Sequence, residues 1–212
     1  MKRILFLITL ISSFAVVAQK NIYESPSFDA LSADHNVLAI IPFLTNLDLN
    51  EKISKSEQKR LEENEGYAVQ NALETYFSKR SKKKNLPVTF QNIENTAAIL
   101  AKENISYENT KELSEILGVD GIISGTLDLN ILLSNGIPTE FSFTDYFSGG
   151  ANYGRIGIKI SDGDSGKLLW KYEKEINKKT GKNTTDLIDR MMKLAIRKFP
   201  YERERKRDRN KN

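Results

Sequence analysis

The 212-residue chain has no cysteine, one histidine and one tryptophan. Without cysteine there is no disulfide, no thiolate zinc site and no cysteine nucleophile. There is also no cysteine for lipid attachment after an export leader, so the chain has no lipobox. Ser-His-Asp catalysis needs a histidine held by a carboxylate in a cleft. His35, in a polar stretch ahead of the first apolar run, reads instead as a lone surface residue. Past residue 18 no apolar run nears the roughly 20 residues that span a bilayer as a helix. An excess of one charge is missing too: 32 basic against 28 acidic residues give a net of +4. The first residues carry two of those positives. Residues 201–212 hold six basic and three acidic side chains, which leaves the body near −1. A nearly neutral body does not make a nucleic-acid-binding protein. The mixed-charge end reads as a solvated, flexible tail.

What the chain does have begins at residue 1. Lys2 and Arg3 precede an apolar run from Ile4 to Val17, with Val16 and Ala18 placed at −3 and −1 of a peptidase site. This is the pattern of a secretory signal peptide over 1–18, cleaved between Ala18 and Gln19. The expectation is a mature chain of periplasmic or secreted location, with no integral membrane span. Residues 19–36 read as an irregular lead-in.

One domain is expected over 37–200, enough chain to bury its own core. Val37–Phe43 is a continuous apolar run ended by Pro42, as in a strand buried on both faces. Thr45–Lys55 reads as a polar loop. Leu61, Val69, Leu73 and Phe77 then recur at helical spacing, with acids early and Lys79, Arg80, Lys82, Lys83 and Lys84 late, as suits the macrodipole. That lysine cluster reads as a solvated helix end. Val88 and Phe90 mark a short strand. Asn95 or Thr96 is placed to cap a short helix, and Asn109 to cap the next, which Gly118 closes. Val119–Leu127 is a third main strand. Ile156, Ile158 and Ile160 alternate with Arg155 and Lys159. After the turn Asp162-Gly-Asp-Ser-Gly166, Leu168, Trp170 and Tyr172 alternate with Lys167, Lys171 and Glu173, which makes an antiparallel hairpin. Thr184 or Thr185 starts a last helix with Leu187, Ile188, Met191, Leu194, Ala195 and Phe199 inward. The fold class is α/β: a single mixed sheet of order β-α-β-α-α-β-β-β-α, helices packed on the sheet, and a C-terminal antiparallel hairpin plus helix.

Two of these stretches are distinctive together: Glu112-Leu-Ser-Glu-Ile-Leu-Gly-Val-Asp-Gly-Ile-Ile-Ser-Gly-Thr-Leu127, and Asp162-Gly-Asp-Ser-Gly-Lys-Leu-Leu-Trp170. Over Val37 to Phe199 the chain resembles the group of bacterial envelope proteins that includes the CsgG-type curli channel, LpoB-type activators and the TolB amino-terminal domain. It departs from the lipoproteins of that group in lacking an anchoring cysteine. It departs from the channel in lacking two hairpins long enough for a membrane barrel, whose strands need about 9–11 residues. The resemblance implies an envelope protein acting by protein–protein contact in assembly, secretion or regulation, with an envelope partner or self-association.

Chemistry-bearing motifs are few. Asp162-Gly-Asp-Ser-Gly166 misplaces the glycine of a calcium loop and reads as a turn. Gly149-Gly-Ala-Asn-Tyr-Gly154 lacks dinucleotide-loop spacing and context. The expectation is therefore no catalytic residue, no metal and no cofactor. The interface candidates are Phe141, Phe143, Tyr146 and Phe147, set among polar, glycine and proline residues between Asn130 and Tyr153. The competing reading is another core-facing strand. A periplasmic small-ligand or glycan-binding module stands as the alternative function.

Overall fold

The computed structural model describes residues 21–49, 53–84, 86–103, 109–132, 152–177, 190–195 and 197–201. Its elements are β1 (Ile22–Glu24), α1 (Phe28–Leu31), β2 (Val37–Ile40), β3 (Leu44–Leu47), α2 (Lys55–Lys84), β4 (Thr89–Phe90), α3 (Ile93–Glu103), α4 (Thr110–Leu117), β5 (Gly121–Leu129), β6 (Asn152–Asp162) and β7 (Leu168–Asn177). Residues 190–195 are helical. The strands form one mixed sheet of order β1-β7-β6-β5-β2-β4, with β3 also paired to β5. β2 runs parallel to both β4 and β5, as expected of strands joined through helices, and β5-β6-β7 is antiparallel.

Two strands are additions to the sequence reading. The lead-in is not irregular: β1 pairs with β7 from Ile22↔Tyr172 to Glu24↔Trp170, and α1 follows it. The first run does not end at Pro42. It bends there and resumes as β3, along which Leu44↔Thr126 to Leu47↔Leu129 pair with β5.

α2 explains how that bent edge is closed. Ser54 caps it, its Oγ accepting from the Glu57 N–H at 3.2 Å. The Gln70 amide donates to the Ile40 carbonyl (2.7 Å), and the Gln58 amide to the Leu47 carbonyl (3.1 Å). The Leu47 N–H donates to Glu62 (3.1 Å). Side chains of one helix thus satisfy strand backbone that would otherwise be an exposed edge. The approach is close enough that a Cβ on Gly66 would lie 2.2 Å from the Phe43 carbonyl oxygen.

One sheet face is fully covered. Leu38, Ile40, Ile123, Leu127, Ile156, Ile158, Ile160, Trp170, Tyr172 and Ile176 pack there against Val69, Leu73 and Phe77 of α2 and against Met191, Met192, Ala195, Phe199 and Tyr201. On the other face, among the described residues, α3 and α4 cover one corner, where Leu100, Leu113, Leu117 and Val119 meet Ala39, Ile41 and Ile122. Asn109 caps α4, accepting from the Glu112 N–H, and Gly118 ends it at φ 64°. For α3 the cap is Asn92, not Asn95 or Thr96: its Oδ1 accepts from the N–H groups of Glu94 and Asn95. Thr96 turns inward and donates to Gln91.

Asp120, in the Leu-Gly-Val-Asp stretch, has a definite structural task. One of its carboxylate oxygens accepts from the N–H groups of both Asn36 (2.7 Å) and Val37 (2.8 Å), fixing the start of β2. Asp120→Ala strands two backbone donors, and the expected cost is about 2 kcal/mol by denaturant titration. Asp120→Asn keeps an acceptor and should lose less.

Two inward assignments change. Leu169, not Leu168, is buried, because the β6–β7 register slips between Ile160↔Trp170 and Ser161↔Leu168. The extra residue inverts the alternation beyond it. In the last helical segment Met192 is buried and Leu194 is 37% exposed.

Candidate functional site

His35 is not a surface residue. Its side chain is 4% exposed and that of Asp162 5%. The ring Nε2 lies 2.9 Å from Asp162 Oδ1, and Nδ1 lies 2.6 Å from the Tyr201 hydroxyl. The other Asp162 oxygen accepts from the Ser165 N–H at 2.8 Å and from the Ser165 hydroxyl. Burial alone would raise the Asp162 carboxyl, but the hydrogen bonds from Ser165 and His35 outweigh it and hold the group below its usual value. With Asp162 ionised, Nε2 carries the proton it donates and Nδ1 accepts from Tyr201, an assignment that follows from the bonding pattern.

The residue types are those of a hydrolase triad, but the order is wrong. The aspartate stands between the serine and the histidine, and both ring nitrogens are engaged, so His35 has no free nitrogen to take a proton from a nucleophile. The cluster is a clasp. It joins the lead-in, the β6–β7 turn and the segment after the last helix, and it buries Tyr201 against Phe28 (ring centroids 5.3 Å apart) and Phe199 (5.2 Å). Tyr201 therefore belongs to the core and not to the tail.

The turn itself packs on the Leu-Gly-Val-Asp stretch. The Gly163 N–H donates to the Asp120 carbonyl at 2.8 Å, and a Cβ on Gly163 would sit 2.3 Å from Ser114 Oγ. The two distinctive sequence stretches thus meet in space, and their shared task is to hold the end of the sheet. Asp162 is occupied by His35 and Ser165, in keeping with a hairpin turn.

Among the described residues, part of the second sheet face has nothing packed over it. Thr126 and Asp128 of β5, Arg155 and Lys159 of β6, and Lys171, Glu173 and Glu175 of β7 share this face in register. Leu44 stands beside Thr126 and Tyr23 beside Lys171. Leu44 is 57% exposed, Tyr23 47% and Leu168 36%, so the face carries apolar contact area among its charges. The Lys171 ammonium, 2.6 Å from Glu173, holds that carboxyl below its usual value, against burial, with Arg155 and Lys159 adding to the effect. Gly157, facing Thr126 and Glu173, leaves the middle of the face low. At its β1 side a cavity of about 180 Å³ is lined by Asn21, Arg155, Glu173, Lys174 and Glu175.

Of the residues singled out from sequence, Trp170 is buried at 1% exposure and stacks on Tyr172 at 5.9 Å, as a core residue. Phe141, Phe143, Tyr146 and Phe147 lie outside the described residues, as do Ala18 and Gln19 at the expected cleavage point. The clasp was missed because its members are 127 and 166 residues apart in sequence. The open face was visible in the alternation of Arg155 and Lys159 with isoleucine.

No protein-family model and no curated protein matches the chain. Solved structures do. Lipoprotein GNA1162 from Neisseria meningitidis is 10% identical at a TM-score of 0.45, over 78% of this chain and 98% of that one. The LpoB C-terminal domain from Salmonella enterica is 12% identical at 0.36, over 72% and 93%. The PelC dodecamer from Paraburkholderia phytofirmans is 7% identical at 0.34, over 82% and 91%.

Proposed function

We propose that this is a non-catalytic cell-envelope protein that works by protein–protein contact, exported by its N-terminal leader. The observation that carries the reading is the open sheet face. Three strands, β5, β6 and β7, present mixed charge, with Leu44 and Tyr23 exposed on the strands beside them and Leu168 at the start of β7, which is the polar-and-apolar mixture of a transient interface. The connection holding Phe141, Phe143, Tyr146 and Phe147 joins β5 to β6, the two central strands of that face, and we assign it a share of the contact.

A photo-cross-linking residue at Lys159 or Leu44 should give one discrete adduct in cells. The same probe at the exposed Glu63 of α2 should give none. Phe141→Ala/Phe143→Ala/Tyr146→Ala should remove the adduct and leave the melting temperature within about 2 °C, the range of a surface change. Adducts from Glu63 alone would sink the reading. Unchanged adducts in the triple variant would exclude the connection but keep the face.

The alternative of a small-ligand or glycan-binding module finds less support. The cavity beside Arg155 is about 180 Å³ and lined by charged and amide side chains, against roughly 300–1,000 Å³ and a mainly apolar lining for typical ligand sites. A thermal shift with cell-wall fragments would reopen it.

A further inference from the structure

The structure assigns a second surface, remote from the open sheet face, to anionic phospholipid. Lys79, Lys82 and Lys83 lie exposed on the last turns of α2. Arg197 and Lys198 lie exposed on the turn after the C-terminal helical segment, held there by bonds from their N–H groups to the carbonyls of Lys193 and Ala195. The two groups are neighbours because Phe77 of α2 packs on Phe199, with ring centroids 4.5 Å apart. None of the five cations has a carboxylate within ion-pair distance among the described residues. The helix macrodipole accounts for lysines at the end of α2. It favours Arg197 and Lys198 after their own helical segment too, but it does not account for the two helix ends meeting in one place.

Five unneutralised cations on a nearly neutral body are what a phosphate-rich surface attracts, each contributing about fivefold to partitioning. Leu194 decides between kinds of phosphate. It lies one turn before Lys198 and is 37% exposed. A leucine among cations can enter the headgroup layer while the cations stay at the phosphates. Single-stranded nucleic acid would call for exposed aromatic rings to stack bases, whereas Phe77 and Phe199 are buried. The patch lies at the end of the sheet where the clasp is, since β4, beside the end of α2, pairs with Val37 and Leu38. It does not depend on the protein-contact reading above.

The test is sedimentation of the full chain with vesicles of mixed phosphatidylglycerol and phosphatidylcholine, against phosphatidylcholine alone. Lys2 and Arg3 ahead of the leader's apolar run also favour the anionic vesicles, so the patch is read from the loss in the variants below relative to the parent chain. Binding should be stronger to the anionic vesicles and fall with added salt. Lys79→Gln/Lys82→Gln/Lys83→Gln should weaken it about 100-fold and Arg197→Gln/Lys198→Gln about 20-fold, with the thermal melt unchanged. Leu194→Gln should weaken it further, at unchanged charge. Equal binding to both vesicle types overturns the assignment. So does loss only on truncation after Tyr201, which would place the attraction in the tail. A preference for duplex DNA over vesicles at equal phosphate also overturns it.

Discussion

Gly66→Ala is expected to unfold the protein or to lower its stability by about 3 kcal/mol, the upper range of overpacking. In an exposed helix interior the same change stabilises, by roughly 1 kcal/mol. The sign reverses here because α2 lies directly on the bent strand. A methyl group on Gly66 would sit 2.2 Å from the Phe43 carbonyl oxygen and 3.4 Å from its nitrogen. Neither atom can yield, since the Phe43 N–H donates to the Gly66 carbonyl and the strand is tied on both sides of it by Gln70 and Gln58. The helix must therefore lift, and Val69, Leu73 and Phe77 lift with it. Urea titration of the variant checks this. A stability equal to or above the parent would show that α2 stands farther from β3.

The clasp carries the second large effect. His35→Ala removes a buried side chain and takes one hydrogen bond from each of two buried groups, the Asp162 carboxylate, which keeps its bonds from Ser165, and the Tyr201 hydroxyl. The expected loss is about 3–5 kcal/mol, as for other broken buried pairs. Tyr201→Phe keeps the ring packing against Phe28 and Phe199 and removes one hydrogen bond, so about 1–2 kcal/mol is expected. The pH dependence follows from Asp162. Its carboxyl is held below the ordinary aspartate value of about 3.9. A carboxyl with a depressed folded value stabilises fully above the unfolded value and loses that contribution as pH falls through the folded one. Stability should thus fall below about pH 4, with part of that acid limb absent in Asp162→Asn. An acid limb of unchanged steepness in that variant would assign the pH dependence to other carboxyls.

Much of this architecture is legible in the chain because its signals are local. The apolar run at Val37, the cap at Asn109 with Gly118 nine residues later, and the isoleucines at 156, 158 and 160 each follow from one element's own period. What escaped depends on partners distant in sequence. Leu44-Thr-Asn-Leu47 looks polar and loop-like, and becomes a strand only because β5 lies beside it and α2 covers its edge. The register slip at Ser161 exchanges Leu168 for Leu169, and no count of alternating residues anticipates a bulge. A lone histidine in a polar stretch gives no hint of a carboxylate 127 residues away. The members of the clasp and of the open face are harder to read from the chain than its elements for the same reason. Exposure and charge neighbourhood, which define the open face and the cations near Phe199, are properties of the assembled sheet.

The length of β6 gives the molecule two poles. Its 11 residues extend roughly 35 Å, from the clasp at Asp162 to Asn152, where the aromatic connection rejoins the domain. A domain resting on a bilayer by Lys79 and Lys198 would hold Asn130 and Asn152 out at the far tip of a stiff strut. The sheet would then set a fixed reach into the surrounding space, and shortening β5 and β6 together would bring the tip down toward the lipid without altering the base.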